Sequence, residues 1–168
     1  MSTQTRCATV AAIAVTAFPL ATATTWAAPA GNTGTTVVPL KDTLRACDFT
    51  PTTGAIQTAR TDASVTSVIR AGGGTVSAEV QLSDPSSPGT HYEVRLIQMP
   101  RVSQAPCGPG APGVAAGSLD SDGAGQARTT LQDSIRSGTT GVWVFVLRPS
   151  QFSQDPAAFY SSDFVAPV

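Results

Sequence analysis

The segment TVSAEVQL, residues 75–82, alternates between apolar and polar side chains: Val76, Ala78, Val80 and Leu82 fall on one side, Ser77, Glu79 and Gln81 on the other. A period of two is that of an extended chain with one face buried, so this stretch predicts a strand. HYEVRLIQ, residues 91–98, repeats the pattern with Tyr92, Val94 and Leu96 inward and His91, Glu93 and Arg95 outward. Between them SDPSSPGT supplies Asp, two prolines and Gly89, which favour a turn, and the two strands are expected to form an antiparallel hairpin.

Further candidate strands are LRACDFT (44–50), ASVTSVIR (63–70), two within VAAGSLDSDGAGQARTTL (114–131), VWVFVL (142–147) and AFYSSDFVAP (158–167). Only TLQDSIR, 130–136, has the character of a helix, and it is too short for more than one turn. Gly, Pro, Ser and Thr are abundant while long helix-forming side chains are scarce. The expectation is one all-β domain, an antiparallel β-sandwich of seven or eight strands over residues 41–168.

Residues 142–147 constrain the packing further. Trp143, Phe145 and Leu147 point one way and Val142, Val144 and Val146 the other, so both faces are apolar. One face of a sandwich strand ordinarily meets water, and this strand therefore needs a second cover. Either the loop 149–160, with Phe152, Phe159 and Tyr160, folds over the outer face, or the stripe formed by Val142, Trp143, Val144, Phe145 and Val146 is a binding site for an envelope or extracellular protein or a small apolar ligand.

The chain opens with MSTQTR, an apolar run CATVAAIAVTAFPLATA, and TTWAAPA with small residues at its end. This is the layout of a secretory signal peptide over residues 1–30, with cleavage after Ala27 or Ala30; a retained anchor is the competing reading. Residues 31–40, GNTGTTVVPL, are expected to be a flexible lead-in, mobile at first and then extended. Cys7 would leave with the signal, and no membrane span would remain. Cys47 and Cys107 are then the two cysteines of an exported chain, where thiols are usually paired. Cys107 sits in APCGPGAPG (105–113), a loop by composition, and a bridge to Cys47 would pin it. No His or further Cys lies at metal-ligand spacing from either cysteine.

Ten basic and eleven acidic residues give a formal charge of −1, and the basic residues are scattered. That excludes the clustered Lys and Arg expected of a nucleic-acid or anionic-lipid binder. No cofactor motif or catalytic constellation is evident. His91 is the only histidine; Glu93 shares its strand face, but no nucleophile motif accompanies them. Asp120 and Asp122 in DSDGAG raise the question of calcium, yet the further acidic ligands of a loop site are missing and a hairpin turn is the simpler reading. Gly72, Gly73 and Gly74 lead into a strand rather than a helix, unlike a phosphate cradle.

The succession GGGTVSAEVQL, YEVRLIQMPR, Cys107, GSLDSDGAGQA, GTTGVWVFV and FYSSDFV, over residues 72–165, resembles small exported β-sandwich proteins of actinobacteria, mycobacteria especially. The resemblance implies an immunoglobulin-like sandwich, secreted or held in the cell envelope, and transfers no catalytic residues. The expected function is non-enzymatic, through surface protein or ligand contacts. The alternatives are a protease inhibitor presenting Arg101 or a neighbour on the pinned loop 99–113, and a hydrolase using His91.

Overall fold

The computed structural model describes residues 34–52, 62–154 and 156–168. The expectations for the signal peptide and Cys7 lie outside these residues. Among the described residues nine strands form: β1 (Gly34–Lys41), β2 (Ser64–Gly72), β3 (Thr75–Ser83), β4 (His91–Met99), β5 (Val114–Asp120), β6 (Gln126–Ser134), β7 (Gly141–Arg148), β8 (Ala158–Ser162) and β9 (Ala166–Pro167). Every pairing is antiparallel, and there is no helix among the described residues. Hydrogen bonding joins the strands into one sheet in the order β5-β4-β7-β8-β1-β2-β3-β6, with β9 paired to β7. The sheet curls until it is nearly a barrel.

Three expectations are corrected. Residues 34–41, expected to be extended but outside the domain, belong to it as β1, paired with β2 from Gly34↔Ala71 to Leu40↔Val65. The strand expected at LRACDFT is instead a compact turn held by the Arg45↔Pro51 bridge. β3 and β4 do not form a hairpin: β3 lies between β2 and β6, and β4 between β5 and β7. Their connection crosses between the two halves of the sheet because its polar residues are drawn inside. Asp84 is fully buried and accepts a hydrogen bond from the Tyr92 hydroxyl at 2.8 Å. Ser121, 6% exposed, donates through Oγ to Ser87 O and accepts from Thr90 N. Gly125 passes so close that a Cβ there would lie 2.1 Å from Asp84 O, and its φ is +75°, so only glycine fits.

The main core lies inside the curled sheet. Val38 and Leu40, Val65 and Ile69, and Val76, Val80 and Leu82 from one half meet Tyr92, Val94, Leu96, Val142, Val144 and Val146 from the other. At about 25 cal/mol per Å2 of apolar surface, each large side chain here contributes on the order of 2 kcal/mol. Gln98 closes one end: Nε2 donates to Asp133 Oδ2 (2.7 Å) and Ser134 O (2.9 Å), while Oε1 accepts from Arg136 N (2.9 Å) and Thr139 Oγ1 (2.8 Å). This buried amide thereby ties β4 to the end of β6 and the turn that follows, where the two edges of the sheet approach without a ladder.

Burial, then the hydrogen bond to Asp84, push the Tyr92 hydroxyl up to about 12 from its ordinary 10. The unfolded chain therefore loses this proton first, so the stabilisation is complete below pH 10 and is lost as pH rises through 12. Denaturant unfolding between pH 9 and 11.5 should show falling stability, and Tyr92→Phe, less stable at neutral pH, should show a shallower decline over the same range.

Candidate functional site

β4, β7 and β8 carry a second apolar layer on their outer face. Cross-strand pairs set Ile97 beside Trp143, Arg95 beside Phe145 and Leu147 beside Phe159. Ile97, Trp143, Phe145, Phe159 and Cys107 form a cluster separate from the main core, with Leu44, Cys47, Phe49, Met99, Val114 and Leu147 packed against it.

The cover over Trp143 is the segment 42–52. Its chain folds back through Ala46 N to Thr50 O (2.8 Å), Phe49 N to Ala46 O (3.0 Å) and Thr52 N to Leu44 O (2.8 Å). Phe49 takes φ 70°, a left-handed conformation that costs a bulky residue roughly 1–2 kcal/mol. Compensation comes from its ring, which meets Trp143 edge-on at a centroid separation of 5.4 Å while the Arg45 guanidinium lies 4.0 Å over it. Such contacts contribute about 1 kcal/mol apiece. The Cys47–Cys107 disulfide, Cα atoms 5.5 Å apart, fastens this clasp to the 101–113 loop. Arg45 Nε and Nη1 donate to Ser161 Oγ (3.2 Å) and Phe49 O (3.0 Å), and Ser161 donates to Thr43 O (2.7 Å), fixing the clasp to β8 as well.

Beyond the clasp the outer layer opens into a groove of about 460 Å3. Phe145 and Leu147 form its floor, Leu44 stands on the clasp side and Pro149, Ser150, Ser153, Gln154 and Pro156 form the far wall, with Arg95 also lining it. The connection that supplies this wall is shaped by Ser150, whose Oγ accepts from Phe152 N and Ser153 N, both at 3.2 Å, and it is closed at its base by Ala157 N to Arg148 O. Phe152, on the same connection, is 96% exposed. Arg95 donates from Nη2 to Glu93 at 2.9 Å, but its Nε is buried with no acceptor.

The residues singled out from sequence fall in several places. The Cys47–Cys107 pairing is present. Val142, Trp143, Val144 and Val146 are fully buried and Phe145 nearly so; the valines face the main core and the aromatic residues lie under the clasp or on the groove floor. An exposed stripe at 142–146 is therefore not what β7 presents. Nor is loop 149–160 the principal cover: Phe159 belongs to the outer layer, Tyr160 faces the main core, and Phe152 faces solvent.

His91 is exposed and bonds through Nδ1 to Asp120 at 2.7 Å, whereas Glu93 pairs with Arg95. The two do not converge. Asp122 Oδ1 accepts from Ala124 N and Gln126 N at 2.8 and 2.9 Å, so Asp120 and Asp122 serve a cross-strand pair and a turn. Among the described residues no group of three or more His, Cys, Asp or Glu is placed to hold a metal ion. Gly73 and Gly74, both at positive φ, make the two-residue turn between β2 and β3.

Arg101 is folded into its own loop. Nη1 donates to Pro106 O and Nη2 to Pro112 O, both at 2.6 Å, while Ala105 N bonds Val102 O in a turn. The outward arginine on an extended strand that an inhibitor reading needs is not the conformation here. Arg95, Leu147 and Leu44 are the groove residues to which sequence reasoning gave no role. Alternation does place Arg95 and Leu147 on the outer face with Phe145, but nothing local marks Leu44 as their neighbour.

No protein family, curated protein or solved structure matches the chain.

Closing a loop of 60 residues should make the disulfide stabilising by about 4 kcal/mol on the chain-entropy model. In a Trp26→Phe background, which leaves Trp143 as the one tryptophan, Cys47→Ser with Cys107→Ser should lower stability by about that much. Trp143 emission should also shift to the red as the clasp lifts, while far-ultraviolet dichroism keeps its β character.

Proposed function

We propose that the protein is an exported, non-enzymatic binding module of the cell envelope or extracellular space, whose contact surface is the outer groove of β4, β7 and β8. The observation that carries this reading is the groove itself: a recess with Phe145 and Leu147 at its base beside a covalently fastened clasp, with a largely buried arginine at its side. Its volume falls in the range of small-molecule sites. The occupant we infer is a small amphipathic acid, its apolar body on Phe145 and Leu147 and its carboxylate on Arg95. Beyond the Nη2 hydrogen given to Glu93, the ends of the Arg95 guanidinium carry further donors, which favour an acidic group over a neutral one.

Export is supported by the N-terminal segment and by the disulfide, which persists in oxidising compartments. Among the described residues no helix is long and apolar enough to cross a membrane. The two halves of the sheet, β5-β4-β7-β8 and β1-β2-β3-β6, meet at only two β1–β8 residue pairs, and we read them as the layers of the immunoglobulin-like sandwich that the actinobacterial resemblance implies.

Titration of the protein with decanoate and with decanol, followed by amide chemical shifts, tests the groove. Decanoate should bind saturably with shifts at Arg95, Leu147 and residues 149–154. Leu147→Asp should abolish binding with the fold intact, and Arg95→Gln should weaken decanoate about fivefold while leaving decanol unchanged. Absence of saturable binding, or binding undiminished in Leu147→Asp, would overturn the assignment.

A further inference from the structure

Two cations stand together at the end of the molecule closed by Gln98. Arg101 Nη2 and Arg136 Nη1 both donate to Pro112 O, at 2.6 and 3.4 Å, which holds the two guanidinium groups within a few ångströms of each other. The remaining acceptors of Arg101 are Pro106 O and Gly113 O, so all of these partners are neutral backbone carbonyls. Among the described residues neither arginine has an ion pair: the salt bridges engage Arg70, Arg95, Arg128 and His91 instead. Asp133, three residues before Arg136, directs its carboxylate to Gln98 Nε2 and Ser134 N rather than to either guanidinium.

Like charges in proximity without a counter-ion are costly, and here the frame prevents their separation. Gln98 N bonds Gly113 O, Cys107 is bridged to Cys47, and a Cβ on Gly113 would lie 3.0 Å from Arg136 Cδ and Nη1, so the Arg136 side chain is laid against that backbone. Arg101 is pushed below the usual arginine value by burial and then by the Arg136 charge, and its Nε is buried with no acceptor. Beside the pair is a recess of about 250 Å3 lined by Met99, Pro100, Arg136, Ser137, Gly138 and Thr139. Among the described residues no carboxylate bonds to either guanidinium beside this recess.

We propose that Arg101, Arg136 and the adjoining recess form an oxyanion site for a tetrahedral dianion, a phosphate or sulfate group, either free or as a monoester. Arg136 offers the exposed fork at the recess and Arg101, whose donors are held by the loop carbonyls, adds its permanent charge behind it; two such charges suit a dianion better than a single carboxylate. The anion supplies a counter-charge, and Ser137 adds a hydroxyl group at the rim. The site is separate from the outer groove and stands whether or not that groove holds a ligand.

Amide shifts of the full chain should be followed on adding inorganic phosphate, inorganic sulfate or glucose 6-phosphate at low ionic strength. Saturable changes are expected at Arg101, Gly113 and residues 136–139, weakening as sodium chloride is raised. Arg136→Gln, an exposed position whose loss spares the Arg101 contacts, should weaken binding about tenfold, whereas Arg128→Gln, near the opposite end of β6, should leave it unchanged. Tighter binding of glucose 6-phosphate than of phosphate points to a monoester as the natural group; equal affinity points to the free ion. No saturable change with any of the three anions, or equal effects of the two substitutions, would overturn the proposal.

Discussion

A strand with six consecutive apolar residues admits no wet face, and β7 imposes that condition on everything around it. Its valines require an opposing half of sheet, which the curl of the nine strands provides. Its aromatic residues require a second cover, and no regular strand is available to give one. The cover is built from irregular chain, a tight fold of 42–52 anchored by a disulfide, by Arg45 and by an edge-on aromatic contact. Irregular segments lose entropy on ordering without gaining a ladder, which is why this one carries a covalent fastening.

The same economy explains the groove and the cationic recess. The clasp reaches as far as Leu44 and stops, leaving Phe145 and Leu147 partly roofed by the far wall of the groove. The loop on the other side of the disulfide is held by the Arg101 guanidinium, which substitutes for the backbone donors that three prolines and a turn-rich chain lack. Using a cation for that purpose places charge beside Arg136 without an internal partner. Both candidate sites thus arise where irregular chain covers a surface that regular strands leave unfinished.

Much of the fold was legible because period-two alternation is local. β3 and β4 were visible from their side chains alone, as was the double requirement of β7, and the composition favoured strands throughout. Partnership was not legible. The β3–β4 connection has turn residues suited to a hairpin, but buried Asp84 and Tyr92 bind each other and carry the chain across to the other half. β1 was missed because GNTGTTVVPL has few large apolar residues; only Val38 and Leu40 reach the core. The clasp was missed because Phe49 at positive φ breaks the usual preference for Gly or Asn, and its stabilising partner, Trp143, is 94 residues away in the chain. Cys47 and Cys107 were legible as a pair, but not as the means by which Trp143 is covered.

The central claim is that the outer face of β7 is sealed by the disulfide-fastened clasp while its inner face packs against the opposite half of the sheet. Nuclear Overhauser effects from an isotope-labelled sample measure this directly. The account predicts strong effects between the Trp143 indole and the Phe49 ring, together with effects from the Val144 methyls to side chains of β2 or β3. A Trp143 ring with no effect to any residue of 42–52 in the oxidised protein would contradict it.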